Sequence, residues 1–354
     1  MTRTLRLTSA DAVIDALGTD HPAVRLKVTL AIGEQPELLA RYGAEGADTI
    51  VRTLWERLQA EPDATVRQGL LHALRQLPHE AVVAHCTDIL DRPDHALAVA
   101  AATVLAGHAD DRLPVALRLR VRLLAGDDDA IAGSLDAGYA EAWLDELAGP
   151  YGPLARQRLA PFPTRALELL APHLAQLAPE GQAWLVSLLD ATTLTDQAGL
   201  LDAALASQQV PVLVAALRLC AEQSVPEATL VRALALGEHA HPDVRLAACR
   251  LPITAALRSE RYGNERDSRV RAALLRDVDA GTAEGFALLI AALENGGWRE
   301  RTAAVEACVA HGTPVIPRLR QAARQHTGAS RAAASQALLR LGDETWLEAA
   351  AFND

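Results

Sequence analysis

Apolar residues recur along this chain at helical spacing. The clearest instance is a short phrase followed by a constant stripe. Val24-Arg25, Val66-Arg67, Val244-Arg245 and Val270-Arg271 share it, with degenerate copies at Glu300-Arg301 and Ser330-Arg331. Three, four and seven residues after each arginine stand Val28/Thr29/Ile32, Leu70/Leu71/Leu74, Ala248/Cys249/Pro252, Leu274/Leu275/Val278, Ala304/Val305/Cys308 and Ala334/Ser335/Leu338. Such offsets place the side chains on one face of a helix. Around the phrases, stop and start signals alternate. Ser9 is placed to cap a first helix that stops at Gly18, and His21-Pro22 opens a second that ends at Gly33, with proline inside the start and glycine past the end. Helices are expected at 46–59, 63–76, 79–91 and 94–106, and again at 226–236, 241–258, 267–278, 282–295, 298–311, 314–325 and 328–341.

The arginines at 245, 271, 301 and 331 are spaced by 26, 30 and 30 residues, room for two short helices and two turns. Self-similarity at this period marks a stacked-repeat protein. A polar or proline-containing turn, Val-Arg and an Ala/Leu stripe together resemble the HEAT-repeat family, particularly its short bacterial form. The resemblance covers residues 9–106 and 210–342. It implies an all-α, right-handed α-α solenoid of roughly ten to twelve helical hairpins. It also implies that the Val-Arg helices line the concave layer and that the arginine bonds an acid in the adjacent unit. It says little about activity, because one scaffold serves many functions.

The middle breaks the pattern. Between Gly107 and Glu180 no Val-Arg phrase with its stripe occurs, since Val121-Arg122 is followed at the same offsets by Ala125, Gly126 and Asp129; prolines stand at 114, 150, 153, 161, 163, 172 and 179, and an arginine-rich stretch (Arg118, Arg120, Arg122) precedes Asp127-Asp128-Asp129. Proline inside a helix removes a donor and clashes with the preceding turn, so helices here must be short or offset. Either an irregular insert joins two sub-arrays or the repeat has decayed. The chain therefore divides into N-terminal repeats at 1–106, an irregular helical segment at 107–180 serving as hinge or binding insert, and C-terminal repeats at 181–354.

Composition sharpens this picture. Half the residues are hydrophobic but only 3% are aromatic, which suits thin helical layers better than one deep core. The net charge of −11 disfavours nucleic acid as a partner. Cys86, Cys220, Cys249 and Cys308 stand apart without metal-ligand spacing and read as buried hydrophobes in a reducing compartment. The polar first ten residues lack the apolar core of a secretion signal, and no uninterrupted apolar run is long enough for a membrane span, so a cytoplasmic protein is expected.

Candidate chemistry is sparse. The repeat arginines Arg25, Arg67, Arg245, Arg271, Arg301 and Arg331 could form a basic strip. The structural alternative has them bonded to acids such as Asp63, Asp243 and Asp267, and it is the one expected here. His79-Glu80 is a single copy of the dyad that recurs in deoxyhypusine hydroxylase, an iron enzyme on this type of repeat. One copy cannot assemble a metal site, so no metal and no cofactor are expected. Acidic residues 127–129 read as a solvated turn or helix cap. Tyr139, Trp143, Tyr151, Arg156, Arg158 and Phe162 are the partner-binding candidates, since aromatic and arginine side chains dominate interface energetics. Filling gaps between irregular helices would use the same rings.

The expected function is a non-catalytic interaction scaffold or adaptor that holds a protein or peptide on the concave face. The alternative is an enzyme on the same scaffold, resembling either the bilin lyases or the alkylpurine DNA glycosylases. Nothing in the sequence specifies an oligomeric state.

Overall fold

The computed structural model describes residues 7–77, 79–90, 95–106, 113–194, 196–343 and 346. All regular structure among them is helical, and no strand occurs. No described helix is long and apolar enough to cross a membrane. The chain forms two compact units, Met1–Ala178 and Pro179–Asp354. The proline-rich stretch from 113 to 178 thus belongs to the first unit; its opening residues, 107–112, lie outside the described residues.

The first unit begins with α1 (Ala10–Gly18), α2 (Pro22–Glu34), α3 (Gly43–Ala60), α4 (Ala64–Gln76), α5 (His79–Leu90) and α6 (His95–Leu105). Consecutive members pack as hairpins, and alternate members stack: α1 on α3 and α3 on α5 in one row, α2 on α4 and α4 on α6 in the other. Start signals act as expected. Ser9 Oγ accepts the Ala12 amide at 3.2 Å, and Asp63 Oδ1 accepts those of Thr65 and Val66 at 2.9 and 3.1 Å. Each such cap satisfies amides that the helix leaves open, worth about 1 kcal/mol. Gly33 differs from expectation. It lies inside α2, where a Cβ would come within 3.2 Å of Ala73 Cα, so its smallness serves the approach of α4 rather than a helix stop.

Further along come α7 (Val115–Ala125), α8 (Asp128–Gly133), α9 (Ala140–Ala148), α10 (Gly152–Leu159) and α11 (Pro163–Leu170). These are mostly short, as the prolines require. α7 continues the row by packing on α6, then carries α9 and α10. Its end is set by Gly126, whose φ of 75° is left-handed, and Asp127 caps α8 by accepting the Ala130 amide.

The second unit holds α12 (Pro179–Ser187), α13 (Ala198–Leu205), α14 (Val210–Glu222), α15 (Glu227–Ala235), α16 (Pro242–Ala248), α17 (Ala255–Asn264), α18 (Ser268–Arg276), α19 (Ala283–Asn295), α20 (Trp298–His311), α21 (Ile316–Gln325) and α22 (Gly328–Arg340). From α12 to α22 each even-numbered helix packs on the next. The expected helix over 241–258 is instead two. α16 stops at Ala248, and Pro252, which cannot donate to a helical carbonyl, lies in the turn before α17.

Within each unit, the stripe following the Val-Arg phrase lies in the seam between stacked helices. Val28, Thr29, Ile32, Leu70, Leu74, Ala248, Leu274, Leu275, Ala304, Val305, Cys308, Ala334 and Leu338 are all buried. Burying a side chain of the Val or Leu class stabilises by roughly 1.5–3 kcal/mol, so these stripes hold neighbouring repeats together.

Candidate functional site

The six repeat arginines occupy one position, the fourth residue of α2, α4, α16, α18, α20 and α22. Two of them make the same clasp, buried at Arg25 and half-buried at Arg245. Arg25 donates from Nε and Nη2 to Glu61 Oε2 and Oε1 at 2.7 and 2.6 Å, and from Nη1 to the Thr19 carbonyl at 2.8 Å. Arg245 donates to Glu265 at 2.7 and 2.8 Å, and to the His239 carbonyl at 2.8 Å. Among the described residues, Arg67 keeps the backbone arm alone, donating to the Glu61 carbonyl at 3.1 Å. Arg271 lies 3.4 Å from Glu300 Oε2 and 4.4 Å from the Tyr262 ring centre. Arg301 donates to the Leu293 carbonyl at 3.1 Å, and Arg331 is exposed without an ion pair among the described residues.

The acids are not those expected. Asp63 and Asp267 are helix caps, and Asp243 pairs with Arg269 at 3.0 Å. The clasping carboxylate stands two residues before the cap, in Glu61-Pro62-Asp63 and Glu265-Arg266-Asp267. There it also accepts the cap residue's amide, at 3.1 and 2.8 Å. A cap must sit at the helix start, which leaves the glutamate before it to reach back to the preceding arginine. The Arg25 hydrogen bonds hold the Glu61 carboxyl down at about 2, against the opposing effect of burial. Arg245 holds Glu265 below its ordinary value in the same way.

His239 and His241 stand where those two acids stand before the other helices. His239 Nδ1 accepts the His241 amide at 3.0 Å, and His241 Nδ1 accepts the Asp243 amide at 3.3 Å. Both imidazoles act as turn acceptors. No His, Cys, Asp and Glu cluster able to hold a metal occurs among the described residues.

Two aromatic candidates of the middle segment, Tyr139 and Tyr151, lie beside arginines of α7. Trp143 on α9 is fully buried and donates from Nε1 to the Ser134 carbonyl at 3.0 Å. Tyr151 is buried with its hydroxyl 3.3 Å from the Leu90 carbonyl and joins the apolar core of the first unit. These two rings fill the gaps between short helices, the second of the two uses that their sequence context allows. Tyr139 is half-buried, with the Arg118 and Arg122 guanidinium carbons 6.0 and 5.4 Å from its ring centre. Arg158 reaches Asp128 at 3.4 Å, while Arg156 and Phe162 are half-buried.

Open recognition chemistry lies elsewhere, on the Val-Arg row of the second unit. A groove of about 680 Å³ runs over α16, α18 and α20. Its floor is Leu246, Ala272, Ala273 and Ala303, and its walls carry Arg250, Arg269, Arg276 and Arg299 against Asp277 and Glu306. Arg250, Arg276 and Arg299 are exposed, and no described carboxylate lies within ion-pair reach of them. Trp298, 70% exposed, stands at the first position of α20 with the Arg299 guanidinium carbon 4.6 Å from its ring centre. The sequence did carry a signal for this. Gly296-Gly297-Trp298-Arg299 puts a large aromatic ring among polar and glycine residues, outside any apolar stripe.

A second cavity, about 490 Å³, is lined by Arg245 and Glu265 themselves and by Cys249, Leu257, Arg261 and Leu274. Burial pushes the Cys249 thiol up to about 11, so it is a poor nucleophile there. No protein-family model matches this chain, and no curated protein is significantly similar to it.

Proposed function

We propose that this chain is a right-handed, HEAT-like α-α solenoid that serves as a non-catalytic adaptor, holding a protein or peptide on the concave layer formed by its Val-Arg helices. One observation carries the reading. The groove over α16, α18 and α20 presents Trp298 and the exposed Arg250, Arg276 and Arg299, while the repeat arginines Arg25 and Arg245 are committed to internal carboxylates. A shallow surface whose length grows with the number of repeats suits an extended partner. Exposed tryptophan and arginine are the side chains that anchor such interfaces.

The test is site-specific photocrosslinking from Thr302 on α20, inside the groove, with Ser259 on α17 as control. The adaptor reading expects a discrete protein adduct from Thr302 and none from Ser259. Binding of that protein, once purified, is then expected to fall on Trp298→Ala. Equal adducts from both positions, or base release from alkylated duplex DNA by the purified chain, would contradict it.

A further inference from the structure

We propose that the groove over α16, α18 and α20 takes an extended, carboxylate-rich segment of a partner protein, which also lays an apolar side chain on Trp298. This rests on the adaptor reading and adds the chemistry of what is bound.

Charge carries the argument first. Acidic residues outnumber basic ones in this chain, 45 to 34. Several arginines are held by carboxylates, as Arg25 meets Glu61, Arg120 meets Glu146, Arg245 meets Glu265 and Arg320 meets Asp343. Within one groove, Arg250, Arg276 and Arg299 lack any such partner among the described residues, although acids are plentiful. Neighbouring like charges repel, and an arriving carboxylate relieves that repulsion while accepting two parallel N–H bonds from a guanidinium fork.

Shape selects an extended chain. α18 offers Arg269, Ala272, Ala273 and Arg276 along one stripe, so small residues lie between two arginines. Ala272 and Ala303 are buried, which leaves a floor low enough for a backbone to approach. Trp298 lies at the edge of that floor with most of its surface in solvent. An aromatic ring so exposed stands to lose much water-accessible apolar area when an apolar side chain covers it.

The same groove discriminates against nucleic acid. Asp277 and Glu306 line it and repel a continuous phosphate backbone, and the net charge of −11 opposes approach of any long polyanion. A peptide places its carboxylates at intervals and offers amide N–H groups between them, which Asp277 and Glu306 can accept.

The test uses the full chain and a fluorescein-labelled peptide of alternating glutamate and leucine, read by anisotropy and by emission of the exposed tryptophan. A lysine–leucine peptide and a single-stranded oligonucleotide serve as comparisons. The glutamate peptide is expected to bind, more weakly as salt rises. Combined Arg250→Glu, Arg276→Glu and Arg299→Glu should abolish binding, and Trp298→Ala should weaken it at least about tenfold. Circular dichroism and the unfolding midpoint of these variants should match wild type, since the altered side chains are exposed. Absence of glutamate-peptide binding, equal binding by the triple variant, or tighter binding of the lysine peptide or the oligonucleotide would each overturn the inference. The two proposals fail separately. A Thr302 adduct formed through a neutral or basic segment refutes the acidic peptide and leaves the adaptor standing, whereas equal labelling from Thr302 and Ser259 refutes the adaptor itself.

Discussion

Arg25 and Glu61, 36 residues apart, form a bidentate pair whose side chains are almost completely removed from solvent. The glutamate also receives Arg57 at 3.0 Å and the Asp63 amide, so its carboxylate joins α2, α3 and the start of α4. Arg245 and Glu265 repeat the device in the second unit.

Removing one partner should be more harmful than removing both. Glu61→Gln leaves a buried guanidinium without its counter-charge and is expected to destabilise the first unit by about 3 kcal/mol. Arg25→Met combined with Glu61→Leu should recover a large part of that loss, because neither variant side chain requires hydration. Urea unfolding of the two variants and of wild type measures the difference.

The same pair predicts an acid-sensitive fold. The Glu61 carboxyl titrates near 4.5 when unfolded and near 2 in the folded chain, held down chiefly by the Arg25 hydrogen bonds. A depressed folded value contributes stability that is complete above about 4.5 and is lost as pH falls toward about 2. Glu265 acts in the same direction. Unfolding free energy should therefore decline through this window, and Glu61→Gln should flatten the decline for the first unit. An equal slope in wild type and variant would show that the pair does not set it.

The helical layers were legible because the Val-Arg phrase and its stripe record two facts at once: where a helix starts and which face it buries. Their arginines looked alike in sequence yet ended differently. Arg25 and Arg245 are clasped by glutamates that precede the next cap, while Arg331 has no such partner among the described residues. The cap aspartates were visible as helix starters, but the reach of a glutamate two residues earlier depends on how adjacent hairpins stack. Trp143 and Tyr151 looked available because the repeat pattern lapses around them. Short, proline-limited helices leave voids instead, and large rings fill them. The groove at Trp298 was missed because three helices supply it, none of which shows a binding motif alone.

The cysteines should be chemically quiet. All four are free and buried, and burial pushes Cys220 and Cys249 up to about 11, Cys308 up to about 12 and Cys86 further still. At mildly alkaline pH, iodoacetamide should label the native chain slower than the denatured chain by roughly two orders of magnitude, as the thiolate fraction falls. Rapid native labelling of Cys249, which borders the cavity that Arg245 also lines, would contradict its assignment as an inert wall.

Two tryptophans should behave oppositely. Trp143→Ala removes a fully buried ring and should cost roughly 3–5 kcal/mol, whereas Trp298→Ala at an exposed position should stay within about 0.5 kcal/mol of wild type. Denaturant unfolding gives the stabilities. Loss of binding without loss of stability in the Trp298 variant is the pattern of a recognition residue.

Hydrogen exchange of the full chain, free and bound to the purified protein captured through Thr302, tests whether the groove over α16, α18 and α20 is where the partner docks. Protection is expected at 246–250, 269–277 and 298–306, where the groove residues lie. Protection concentrated instead around α7 and α9, with these three segments exchanging as in the free chain, would contradict it.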